Sequence, residues 1–210
     1  MFGIQNFSVF LITALALNIT PGQDTLYIIG RSIAQGRRAG IISVLGISTG
    51  SLIHTTAAAF GLSAILAVSS TAFSMIKLVG AVYLIYLGVQ MLLECASSVE
   101  NKFNNYTQLS VWKIYQQGIL TNVLNPKVAL FFLSLLPQFI NDTSNMRVLA
   151  FFGLGSTFIF TGTIWCLLVA WFSAKFSRYF CEKQATGFWL KRITGVLFVG
   201  LGVKLAFEKS

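Results

Sequence analysis

Charge is what this chain lacks most. Charged residues make up 10% of its 210 positions, and only 6 of them are Asp or Glu. Soluble domains carry roughly 25% charged residues, so a water-facing globular surface is excluded. With a single histidine, an H-E-x-x-H zinc site cannot be written. The three cysteines, Cys95, Cys166 and Cys181, include no C-x-x-C pair and are odd in number. They read as free thiols with neither a metal nor a redox role, which also sets aside membrane folds that carry electrons through paired cysteines. A membrane enzyme would need a cluster of titratable side chains; one histidine and one intramembrane carboxylate do not form one. No cofactor and no catalytic residue is therefore expected.

What the chain has instead is apolar residues, 55% of the total, with a mean hydropathy of +0.75. They come in blocks. Residues 41–53, 55–68, 78–93, 128–140 and 148–172 contain no charge, and 193–207 contains only Lys204. A helix needs about 20 mostly apolar residues to cross a bilayer. The expected fold is all-α integral membrane, since lipid offers no partners for unpaired backbone groups and barrel strands are absent. The predicted spans are 4–30, 40–67, 73–93, 116–140, 147–172 and 189–208, with the first and fourth interrupted. Ala14-Leu15-Ala16 imitates a signal-peptide cleavage box, but no basic residue precedes Arg31, so an uncleaved first helix is expected.

The formal charge of +9 does not point to nucleic acid, because the basic residues cluster between spans. Arg31, Arg37 and Arg38 lie between the first two spans, Lys102 and Lys113 between the third and fourth, and Lys175, Arg178, Lys183, Lys191 and Arg192 between the last two. The alternate side carries only a short turn at 68–72, the segment NDTSNMR at 141–147 and the two ends. By the positive-inside rule the loaded side is cytoplasmic and both termini are periplasmic. Residues 94–115 read as a cytoplasmic linker with a surface helix.

The chain also repeats itself. KLVGAVYLIYLGVQML (77–92) resembles RITGVLFVGLGVKLAF (192–207), with Gly80 facing Gly195 and Gly88 facing Gly202 after a one-residue gap. NITPGQDTLYI (18–28) pairs with NVLNPKVALFF (122–132), with Pro21 facing Pro126. Three spans per half force the second copy upside down. The expectation is two inverted three-helix repeats, about 1–93 and about 116–210, in one transmembrane domain spanning 1–210. Secondary transporters of this design bind substrate where the halves meet.

The two prolines mark helix restarts inside the membrane. Thr20 reads as an N-cap, Pro21 as the first helical position and Gln23 as the far end of a T-x-x-Q capping box. Asn125 and Pro126 offer the same entry. Each restart leaves N–H groups and a positive dipole end unpartnered, which suits a substrate carboxylate. The bland alternative is a pair of kinks in packed helices. Asp24 argues for a site, because a charge at the bilayer centre costs about 2.5–3.5 kcal/mol and faces an interior cavity; nearer the cytoplasmic interface, with Arg31 soon after it, an arginine or helix-dipole partner would make it structural. Lys127 opposes the dipole of the helix it begins, so water, Asp24 or a carboxylate must favour it. His54 sits mid-span with Gly50, Ala57, Ala58 and Gly61 on its face; it reads equally as a packing residue or as a proton relay. Gly46 and Gly50 fit close helix packing, and Lys77 and Lys204 fit snorkelling.

Beyond these local readings, N18-x-T-P-G-x-D-T-L, G36-R-R-A-G, G46-x-x-x-G50, His54, G61-L, K77-L-x-G-A-x-Y-L-x-Y-L-G88 and N125-P-K-x-x-L-F-F-L-x-x-L-P-Q-F139 resemble, in order, the LysE/RhtB family of amino acid exporters. The resemblance implies efflux of amino acids or close derivatives across the bacterial inner membrane, driven by the proton gradient. A passive channel is the alternative. By position, Pro21, Gly22, Asp24, Asn125, Pro126 and Lys127 match the family's motif residues, and with Thr20 they form the candidate substrate site. Asp24 and His54 are the candidates for proton coupling. Gln23 stands where the family has a second proline. Gly-rich faces permit a homodimer.

Overall fold

The computed structural model describes residues 3–62, 108–141 and 146–175, with Ser144 and isolated helical positions in 75–93 and 196–203. Spans 73–93 and 189–208, their matched glycines, the linker up to residue 107, Lys77, Lys204, Cys95 and Cys181 otherwise lie outside the described residues.

Regular structure among the described residues is helical, save one isolated bridge between Ile4 and Ile140. Helix α1 runs Phe7–Ile19, α2 Gln23–Ala57, α3 Val111–Val123, α4 Pro126–Leu130 and α5 Arg147–Lys175. A π-helical turn, Ala58–Leu62, extends α2. A second, Phe131–Leu135, and a 3-10 turn, Leu136–Phe139, extend α4.

Helix α2 is folded back on itself. Gly36 has φ 79° and ψ −178°, a conformation essentially reserved for glycine. Asp24 and Ser51 would stand about 40 Å apart in a straight helix, yet both bond the side chain of Asn122. A Cβ on Gly40 would likewise collide with Ser32. The stretch 23–35 is therefore an outgoing arm and 37–57 a return arm. No loop separates them, contrary to the sequence expectation. Arg31 belongs to the outgoing arm, buried, with its guanidinium donating to Gln35 and Gln117. Arg37 lies 3.3 Å over the centre of the Trp171 ring.

Helices Gln23–Gly61 and Arg147–Ser173 are long and apolar enough to cross a membrane. Val111–Val123 and Pro126–Phe139, bent by 49°, qualify together as a third. With the reversal at Gly36, the return arm and its extension to Gly61 supply about 37 Å of that first length. Val111–Tyr115 belong to α3, capped by Ser110, whose hydroxyl accepts from the Lys113 N–H. The segment assigned to a surface linker thus ends in the membrane-crossing helix, because the cap at Ser110 starts it early.

Helix α1 with the outgoing arm of α2, and α3 with α4, form two broken helix pairs that run antiparallel with their breaks side by side. The Gln5 N–H donates to Phe139 O, Lys127 reaches Leu17 and Thr20, Asn122 reaches Asp24, and Gln35 reaches Leu109. Close approach needs small residues. A Cβ on Gly46 would come within 3.0 Å of the Gly118 Cα, and one on Gly50 within 2.7 Å of the Asn122 side chain. Helix α5 closes the far side of the return arm, with Gly155 against Thr55 and Ser48 bonded to Thr163 at 2.8 Å. On the other side of the breaks, Phe10, Phe131, Phe139 and Phe158 form the aromatic core that holds α1, α4 and α5 together. Outward faces stay apolar: Ile12, Leu120 and Phe160 are exposed, as lipid-facing residues are.

Candidate functional site

Helix α1 stops at Thr20 because the next residue is Pro21, which has no N–H to donate and disfavours helical geometry before it. Thr20 adopts φ −65°, ψ 121°; its N–H and its hydroxyl both bond Ala16 O, the latter at 2.6 Å. Thr20 is therefore the C-cap of α1, not the N-cap of the next helix. The capping box does not form: Gly22 is the N-cap of α2, without a side-chain bond, and Gln23 is its first residue. A threonine hydroxyl that can reach the carbonyl four residues back prefers that bond. The second break follows the sequence expectation. Asn125 caps α4, its Oδ1 accepting from the Lys127 N–H at 3.1 Å, and Pro126 takes the first helical position.

Between the breaks lies a cavity of about 40 Å³, lined by Asp24 and Lys127 together with Asn18, Ser51, Asn122 and Cys166. A water needs roughly 10–15 Å³ by this measure, so the space holds a few waters and no amino acid. Asp24 Oδ2 accepts from Asn122 Nδ2 at 2.8 Å. Its other oxygen, Oδ1, is shielded from solvent and has no hydrogen-bond partner among the described residues. Buried polar atoms are nearly always paired, so Oδ1 marks a place for a donor.

Lys127 answers the question its position raised. Its ammonium turns away from the helix it begins and donates to Leu17 O at 3.2 Å and Thr20 O at 3.0 Å. These are terminal carbonyls of α1, the negative end of that helix, where a cation is favoured. The ammonium also packs on Gly22, where an added Cβ would stand 3.1 Å from Nζ. No hydrogen bond joins Lys127 to Asp24; each keeps its own partner.

His54 lies outside the cavity lining. Its Nε2 is 3.2 Å from the main-chain oxygen of Asn122, and its ring stacks on Phe132 with centroids 5.7 Å apart. Among the described residues it thus reaches Asp24 through Asn122, whose side chain also accepts from Ser51. Pro21 shapes the first break without lining the cavity, and Pro126 starts α4 from an exposed position.

Sequence reasoning missed the two asparagines as site residues. Asn18 and Asn122 open the paired segments NITP and NVLNP, and both line the cavity. Asn18 holds the rear wall, donating to Phe158 O and Thr161. Their shared place in the repeat was the available signal. The same stretch of α2 also spells G-x-S-x-G, Gly46-Ile-Ser-Thr-Gly50. A nucleophile elbow needs a strand-to-helix turn; Ser48 sits inside a helix and bonds Thr163. Among the described residues no cluster of His, Cys, Asp and Glu could hold a metal.

Residues 15–209 match the family model described as LysE type translocator. The chain is 31% identical over 202 residues to the membrane protein YrhP of Bacillus subtilis, covering 91% of this chain and 93% of that one. It is 25% identical over 209 residues to a leucine efflux protein of Salmonella choleraesuis, with 100% and 98% coverage. A membrane protein of Vibrio cholerae is 28% identical over 201 residues, at 96% of each chain. No solved structure matches.

Proposed function

Because the chain belongs to the LysE type translocator family, we propose that it is a secondary transporter exporting amino acids or close derivatives across the bacterial inner membrane, coupled to the proton gradient. One observation carries the reading: two antiparallel broken helix pairs place an acid whose buried Oδ1 has no partner among the described residues, Asp24, and an ammonium, Lys127, around one cavity. That is the charge pattern an amino acid zwitterion needs, its ammonium on Asp24 and its carboxylate on Lys127. The apolar lining, including Ile47, Val128 and Phe158, suits an aliphatic side chain, in keeping with a relative named for leucine efflux. A space of about 40 Å³ is too small for an amino acid and must widen to pass one, which favours a carrier over a passive channel. The antiparallel helix pairs are in keeping with two inverted three-helix repeats, and the basic clusters between spans are the ground for placing both termini in the periplasm.

The test is uptake into everted vesicles of a panel containing leucine and other neutral, basic and sulfur-containing amino acids. Uptake is expected to be saturable and to require an imposed pH gradient. Correctly inserted protein that moves none of the panel overturns the reading. Uptake without saturation or gradient dependence replaces it with a channel.

A further inference from the structure

The carbonyls that hold Lys127 form a site of their own. Leu17 O and Thr20 O end α1 beside a proline, so no following N–H continues the ladder, and the lysine arrives from α4 on the opposite broken pass. Thr20 is fully buried and Leu17 nearly so. Leu17 lines the cavity, so the lysine ammonium reaches this pair of carbonyls from its edge, and an ammonium supplies three N–H groups to oxygen acceptors. Gly22, in extended backbone, keeps the approach clear on that side.

From this geometry we propose that the carbonyls of Leu17 and Thr20 are a primary-ammonium subsite, filled by Lys127 in the empty protein and by the α-ammonium of the substrate when it binds. The inference rests on the cavity being the amino acid site. Lys127 then acts as a tethered stand-in. An incoming amino acid brings an ammonium for the carbonyls and Asp24 Oδ1, and a carboxylate for the displaced lysine. Leu17, Asp24 and Lys127 all line the same cavity, so the exchange needs no new partner. The cavity must widen as Lys127 leaves, which ties opening of the site to arrival of the correct ligand. A ligand with a carboxylate but no N–H donors does not replace the lysine ammonium and does not open the site.

The test removes the tether. Purified Lys127→Ala protein is unfolded thermally in methylammonium, tetramethylammonium and sodium chlorides at equal ionic strength. Methylammonium is expected to raise its melting temperature by a few degrees and to leave the wild type unchanged; the other two salts do nothing. The amino acid that the wild type exports should stabilise the variant too, and its effect should not add to that of methylammonium. Absence of a methylammonium effect, an equal effect of sodium, or additive effects overturns the proposal. Where the alanine variant does not fold, Lys127→Leu, which keeps part of the stem, takes its place; failure of both to fold even with methylammonium also overturns it. Wild-type export is measured in parallel. Export by the wild type with no methylammonium effect sinks the subsite alone, whereas no export by the wild type sinks the transport reading.

Discussion

At the scale of single residues, Asp24 is the charged group at the cavity whose hydrogen bonding the described residues leave incomplete. One oxygen is held by Asn122 and the other is buried with no partner among the described residues. Asp24→Asn preserves size and can keep a bond to Asn122, but loses the charge that meets an ammonium. A hydrogen bond to a charged group contributes about 1.5–3 kcal/mol, so transport efficiency is expected to fall roughly 10- to 100-fold at unchanged membrane insertion. Full export by a well-inserted Asp24→Asn protein removes Asp24 from the site. For His54 the prediction separates coupling from packing. A glutamine there can still donate to Asn122 O, while the titratable ring and its stack on Phe132 are lost. His54→Gln is expected to weaken gradient-driven efflux and to leave substrate exchange between the two sides largely intact. A parallel fall of both with expression assigns the ring to packing.

At the scale of elements, the helix breaks and the glycine contact govern stability in opposite directions. Pro21 keeps α1 from running on into α2. Proline costs about 3 kcal/mol in a helix interior relative to alanine, and the break leaves terminal groups to be satisfied by Lys127. Pro21→Ala is expected to raise the melting temperature and lower efflux, measured on the same purified protein; a fall in both means the break serves packing. Pro126 is different, because at the first helical position its missing N–H is unneeded. Gly46 works the other way. Its backbone lies on Gly118, and a Cβ would meet Tyr115 O and Ile119 N. Overpacking there costs roughly 1–3 kcal/mol. Gly46→Val is expected to lower the melting temperature through separation of α2 and α3; an unchanged melting temperature shows that the helices can part freely.

At the scale of the whole molecule, orientation is the testable quantity. The basic clusters predict both termini on the periplasmic side, since translocating lysine and arginine is disfavoured. A reporter fused after Ser210 that is active only outside the cytoplasm is the expected result, and one active only inside reverses the topology. The proposed export direction is unaffected in chemistry, but the sides from which Asp24 and Lys127 are reached would be exchanged.

Composition and hydropathy by themselves determined that the chain is a helical membrane protein, because a scarcity of charge and long apolar blocks leave no other solvent for it. Local chemistry also fixed the second break, since Asn125 and Pro126 need only their immediate neighbours to cap a helix. The first break was legible in place but not in form. Thr20 had two carbonyl and amide choices within reach, and the bond back to Ala16 won. What no local pattern could supply is the pairing of residues far apart in the chain. Lys127 finds Leu17 and Thr20, Asn122 joins Asp24 to His54, and Gly36 turns α2 back so that Asp24 and Ser51 meet one asparagine. These contacts depend on how two antiparallel broken helix pairs register against each other. That register is set by the fit of Gly46 on Gly118 and by the phenylalanine core, both of which are properties of packed surfaces and exist only once the helices have met.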